Sequence, residues 1–262
     1  MLNVFPVPAF KDNYFWVIDD GQRAVVVDPG DATPVISYLA LKSLKLAAIL
    51  ITHHHADHVG GIGALLEWCN DSNIFVYGPA RENIPHCTHK LDDGAVVNTL
   101  SHYLSLRVID VPGHTAGHIA YHAEGQEWLF CGDTLFAGGC GRLFEGTAAQ
   151  LRASLSKLAA LPAETKVFCA HEYTLANLRF ASAVEPNNAA LKDRIRIDTA
   201  TRDRGEPTVP STIALERATN PFLRWDEEEV KLAAARASSG INGPNARADL
   251  VFAAIREWKN NF

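Results

Sequence analysis

Short apolar runs closed by turn residues fill the first two thirds of the chain. Residues 24–27 lead into Asp28-Pro29-Gly30, and residues 46–51 lead into Thr52. Residues 106–111 precede Pro112-Gly113, residues 128–131 precede Gly132, and residues 166–170 precede His171. Runs this short, rich in Val, Ile and Leu, predict buried strands. Between them the hydrophobic period lengthens. Residues 62–68 predict a helix, and residues 148–160 predict another with Leu151, Leu155 and Leu158 on one face. After His171 the pattern is helical, over residues 174–184, 188–202, 226–237 and 249–259. The third of these opens on acidic residues, which suit a helix N-terminus, and a loop with Gly205, Pro207 and Pro210 precedes it. The expected organisation is an α/β domain over residues 1–172 and a helical domain over residues 173–262. No internal repeat or low-complexity tract interrupts it.

Composition narrows the class. A chain of 262 residues with 47% hydrophobic residues can bury one large core, with or without an appendage. The net charge of -6 argues against a nucleic-acid partner, which would select for a basic surface. No stretch reaches the roughly 18 apolar residues of a membrane helix. The opening residues MLNVFPVPAF lack a charged segment followed by a long apolar run, so no secretory leader is expected. The five cysteines are Cys69, Cys87, Cys131, Cys140 and Cys169, with no C-x-x-C pair. This count and spacing argue against a disulfide framework or a thiolate zinc site, and fit reduced thiols in the cytoplasm.

The histidines carry the chemistry. Residues 52–58 read Thr-His-His-His-Ala-Asp-His and contain H-x-H-x-D-H. In an extended loop His53 and His55 point one way and His54 the other, so His54 is not expected to be a ligand. Three further metal-type side chains, His114, Asp133 and His171, each follow a strand-like run. Such strand ends can converge at one rim, where loops on a rigid scaffold carry function. Seven ligands exceed one tetrahedral ion but suit two ions sharing a carboxylate. Asp28, at another strand end, is either a partner for a ligand imidazole or a plain turn residue.

The loop, with His114, Asp133 and His171 at these separations, resembles the metallo-β-lactamase superfamily. The resemblance implies an α/β fold, an αββα sandwich with metals at one edge. It implies His53, His55 and His114 on a first ion, Asp57, His58 and His171 on a second, and Asp133 bridging. It favours His114 over nearby His118 as the ligand. The nucleophile would be a bridging water with its pKa lowered toward about 7, oriented by Asp57, His58 and Asp133 as the catalytic groups. The ions would be zinc, with iron or manganese as alternatives that suit the same donors.

Further segments resemble the glyoxalase II family. They are residues 139–147 (GCGRLFEGT), His171-Glu172-Tyr173-Thr174 with Asn177, Asn220-Pro221-Phe222-Leu223-Arg224, and Arg256-Glu257-Trp258-Lys259. That resemblance covers essentially the whole chain. It implies a monomeric thioesterase that hydrolyses S-D-lactoylglutathione, with the helical region binding substrate. Arg142, Tyr173, Arg256 and Lys259 would contact the glutathione moiety. Arg256 and Lys259, three apart, share a helix face, and arginine grips a carboxylate through two parallel hydrogen bonds. Arg224 is assigned a structural salt bridge. Arg142 and Phe144 stand where some relatives have lysine and tyrosine, which alters fine contacts but no metal ligand. The rival readings are a lactonase or another thioesterase of the same fold, and a redox di-iron or non-catalytic metal-binding protein.

Overall fold

The computed structural model describes residues 1–71, 73–100, 103–241 and 243–262. The chain folds into two compact units, Met1–Asp110 with Ala116–Gly132, and Val111–Thr115 with Asp133–Phe262.

The first unit opens with β1 (Asn3–Ala9), β2 (Asn13–Asp19), β3 (Arg23–Val27), α1 (Ala32–Lys42) and β4 (Lys45–Leu50). It continues through α2 (Ala56–Val59), α3 (Ile62–Cys69), β5 (Phe75–Pro79) and β6 (His89–Leu91). Strands β1 to β6 form one sheet in sequence order, with β1, β2 and β3 antiparallel and β3 to β6 parallel. Parallel neighbours need crossovers, which α1 supplies between β3 and β4, and α2 with α3 between β4 and β5. The carboxyl ends of β3 and β4 therefore leave the sheet along one edge. Asp28 and residues 52–58 sit there, at the end of such a sheet where ligands are usually bound.

One face of this sheet packs on the helices. Val17, Val26, Ile49 and Val76 meet Val35 and Leu39 of α1 and Ile62 and Leu65 of α3, all buried. The other face meets an antiparallel meander of β7 (Val96–Thr99), β8 (Leu104–Asp110), β9 (Ile119–Ala123) and β10 (Trp128–Gly132). There the buried Tyr121 of β9 donates to the Ile51 carbonyl at 2.9 Å. With both faces covered, β2 is buried along its whole length. β8 alternates buried and exposed positions over Leu104 to Val108, as expected for a strand with one wet face.

The second unit contains β11 (Leu135–Phe136), β12 (Gly139–Cys140), α4 (Ala148–Ala159), β13 (Lys166–Cys169), α5 (Thr174–Val184), α6 (Ala189–Asp203) and β14 (Ser211–Thr212). It closes with α7 (Ile213–Thr219), α8 (Glu228–Ala237) and α9 (Ala248–Asn260). Helix α4 starts at a capping box, Thr147 with Gln150, and buries Leu151, Leu155 and Leu158 as its period predicts. Arg194 of α6 binds Glu216 of α7 at 2.7 Å and Thr219 at 2.7 Å, all buried. The second Glu216 oxygen accepts the Gly138 amide at 2.8 Å, while Asn220 donates to the Gly139 carbonyl at 2.9 Å. The helices thus hold the segment that follows Asp133. Removing either partner of this buried pair is expected to cost about 3–5 kcal/mol.

The helices predicted over residues 174–184, 188–202, 226–237 and 249–259 correspond to α5, α6, α8 and α9. Helix α7 falls where no element was expected. Its single buried face of Ile213, Glu216 and Thr219 includes two polar residues, so no apolar period marks it.

Candidate metal centre

In the first unit, Asp28 sits at φ +51 immediately after β3. Its two oxygens take the Thr52 amide and the Thr52 hydroxyl, each at 2.7 Å. That hydroxyl gives its proton to Asp28, so it can only accept from His53 Nδ1, 3.0 Å away. The network therefore places the His53 proton on Nδ1 and leaves the Nε2 lone pair facing inward. Nε2 lies 3.1 Å from His55 Nδ1. Asp28 also comes within 3.1 Å of His58 Nδ1, which favours the same tautomer there. His58 Nε2 lies 3.5 Å from Asp57 Oδ2, and that oxygen accepts from Asn13 at 3.1 Å. Ligand atoms of His53 and His55, of His53 and His58, and of Asp57 and His58 lie within 4.8 Å of each other.

Asp28 is thus both a left-handed turn residue and a partner of ligand-type imidazoles. His54 turns the other way, with its amide and Nδ1 at 2.6 and 2.9 Å from Glu82 Oε2. His118 is buried with its ring stacked on His53 at 4.6 Å and 19°.

In the second unit, His114, Asp133 and His171 are all buried. His114 Nδ1 lies 2.9 Å from the Arg142 carbonyl, an acceptor only, so the proton sits on Nδ1 and Nε2 carries the lone pair. That Nε2 is 3.4 Å from one Asp133 oxygen, and His171 Nε2 is 3.3 Å from the other. The two oxygens of one carboxylate thus face two different imidazole nitrogens. Gly141 lets the chain close here, since a Cβ at this position would lie 2.0 Å from the Asp133 carbonyl oxygen and 3.3 Å from His114 Nδ1. Tyr173 stacks on His171 at 4.7 Å and 2°, and Phe144 meets His114 edge-on at 5.2 Å.

These are nitrogen and oxygen donors, with outward protons on His53 and His114. They fit borderline divalent ions, and groups of them could hold such an ion.

The residues expected to bind substrate all belong to the second unit. Arg142 is exposed, and Tyr173 is 36% exposed over His171. Arg256 is buried, donating to the Cys140 carbonyl at 3.1 Å and to Asn260 at 3.0 Å, with its guanidinium 5.2 Å above Phe222. Lys259 Nζ lies 5.0 Å over Phe180. Burial, then repulsion from Arg256, push its ammonium pKa down to about 8. Arg224 binds Glu185 at 2.9 Å, the structural pair expected of it.

Sequence reasoning missed Asn13, Glu82 and Arg179. Asn13 sits beside an apolar run like any polar strand-end residue. Glu82 lies in a loop outside every motif that the sequence singles out. Arg179 contributes to the positive field at Lys259, yet on α5 it reads as a solvated cation. Only three-dimensional proximity singles them out.

Comparison with known proteins agrees with this geometry. Residues 10–85 and 102–171 match the family model of the metallo-beta-lactamase superfamily, and residues 172–262 match that of the hydroxyacylglutathione hydrolase C-terminus. A solved B3 metallo-beta-lactamase, BLEG-1, superposes with a TM-score of 0.61 at 25% identity over 85% of this chain and 99% of that one. A structure of TTHA1623 in a di-iron-bound form superposes with a TM-score of 0.58 at 27% identity over 84% of this chain and 100% of that one. The fold and the donor set are those of a metallo-β-lactamase-type α/β sandwich with a helical C-terminal part. A curated hydroxyacylglutathione hydrolase from Nitrosomonas eutropha is 52% identical over 100% of both chains. The chain belongs to the hydroxyacylglutathione hydrolase (glyoxalase II) family of that superfamily.

Proposed function

We propose that this enzyme hydrolyses S-D-lactoylglutathione to D-lactate and glutathione. The observation that carries the reading is identity of 52% along the full chain to a hydroxyacylglutathione hydrolase. His53, His55 and His114 are assigned to one ion, Asp57, His58 and His171 to a second, and Asp133 to both. Zinc is the expected metal, with iron or manganese accepted by the same donors. A dinuclear centre supplies an activated water and polarises the thioester carbonyl.

The chain's own residues do the rest. Asn13 holds one oxygen of Asp57, and Asp57, His58 and Asp133 are assigned to orienting the attacking water. The outward Nδ1 protons of His53 and His114 keep these rings in one tautomer through turnover. Arg142 and the Tyr173 hydroxyl are assigned to the peptide part of glutathione. Lys259 and Arg256 are assigned to a glutathione carboxylate, with Arg256 also anchoring the Cys140–Gly141 backbone. Water adds its hydroxyl to the acyl carbon, the carbon–sulfur bond breaks, and the proton leaves with the thiol. Residues 1–172 are taken as the catalytic domain and 173–262 as the substrate-binding domain, supported by the junction of the two family matches at residues 171 and 172. Among the described residues no helix is long and apolar enough to cross a membrane. We place the enzyme in the cytoplasm as a monomer.

An assay panel of S-D-lactoylglutathione, an acyl-homoserine lactone and a β-lactam, with and without chelator, tests the reading. Turnover of the first alone, abolished by chelator, is expected. Turnover of the lactone or the lactam in its place would replace the assignment.

A further inference from the structure

The geometry points to Glu82 as a positioning residue that clamps the metal-binding loop, at His54, to the segment that precedes His118. Glu82 lies between β5 and β6, and its side chain is 3% exposed. One carboxylate oxygen takes both the His54 amide at 2.6 Å and His54 Nδ1 at 2.9 Å. The other takes the Gly117 amide at 3.1 Å. An ionised carboxylate only accepts, so all three contacts are donated to it, and such charge-assisted bonds are the strong ones.

Both partners adjoin His53. His54 follows it in the chain, while Gly117 precedes His118, whose ring stacks on it. On the near side Thr52 is already fixed to Asp28. His53 is therefore held between two buried carboxylates, one before it and one after it. Gly117 is shaped for the clamp, because a Cβ there would lie 2.6 Å from Glu82 Cγ and 3.0 Å from Arg81 Cβ. Glu82 touches the backbone and the middle histidine of the loop, so its effect on an ion runs through the placement of His53 and His55.

This inference rests on the metal centre proposed above. The test is Glu82→Gln, with Glu82→Ala and Gly117→Ala beside it. Metal affinity is read by chelator competition, and the thermal midpoint is read on metal-free protein. The clamp predicts metal affinity about 10–100-fold weaker in Glu82→Gln, the range for losing an outer-layer partner. Affinity should drop by more than any fall in the metal-free midpoint accounts for, and kcat should fall with KM unchanged. Gly117→Ala should move affinity in the same direction. Glu82→Gln keeps the shape and a polar oxygen, so it decides the matter if Glu82→Ala does not fold. Wild-type affinity in Glu82→Gln would overturn the clamp, as would a metal-free midpoint that falls in step with affinity. Wild-type protein that takes up no metal would overturn the metal centre itself.

Discussion

In the first unit, side-chain carboxylates hold the residues assigned to metal. Asp28 grips Thr52 and approaches His58, and Glu82 grips His54. In the second unit, the contacts run to backbone, on His114 directly and on residues 138–141 through buried side chains. His114 donates to the Arg142 carbonyl, Gly141 leaves room for the Asp133 backbone, and Asn220 and Arg256 bind carbonyls of residues 139–141. The contrast follows from how each set is supplied. The four metal-type residues that follow β4 sit in a short loop and the one-turn helix α2, which orient them little, so buried charge does it. The three metal-type residues from separate chain segments are placed by the strands and turns that deliver them.

The sharpest way to break this comparison is to remove the carboxylate assigned to both ions. Asp133→Ala should lose more than about 100-fold in thioester hydrolysis, beyond what loss of an outer-layer partner costs, with metal content falling in parallel. Elemental analysis and steady-state rates check it together.

Next is the shape of the second unit. Gly141→Ala puts a methyl against the Asp133 carbonyl, where backbone must move. Overpacking of this kind should cost about 1–3 kcal/mol in urea unfolding. Metal affinity should fall with it, because Asp133 and His114 shift.

In the first unit the matching change is electrostatic. Thr52→Val keeps the volume but removes the hydroxyl between Asp28 and His53. Metal affinity should weaken by about 10-fold in chelator competition. If Thr52→Val had no effect while Gly141→Ala did, carboxylate wiring would not be what orders the first set.

The smallest expected effect belongs to Lys259. Its folded pKa of about 8 lies below the 10.5 of an unburied lysine. Between those values the unfolded chain holds the proton more tightly, so stability should rise with pH across that window. The rise should vanish in Lys259→Met. KM for the thioester should climb as pH passes about 8 and the ammonium loses its charge.

Much of the candidate site was legible in the sequence because its metal-type residues share one loop or follow apolar runs. The tautomers were not legible, since they depend on Asp28, Thr52 and the Arg142 carbonyl meeting particular ring nitrogens. Helices with an apolar stripe, such as α4 and α9, could be read from their period. Helix α1 was missed because Pro34, Val35 and Ile36 look like a turn and a strand, although Asp31 caps its N-terminus. The burial of Arg256 was equally hidden. From sequence it is one cation on a helix face, and only folding turns it toward backbone carbonyls.

The most direct test is metal content measured alongside S-D-lactoylglutathione hydrolysis on one preparation, before and after chelation and reconstitution. The account predicts two divalent ions per chain, hydrolysis lost on chelation, and recovery with the second equivalent of metal. Full hydrolysis by metal-free protein, or a metal-loaded protein inert toward the thioester, would contradict it.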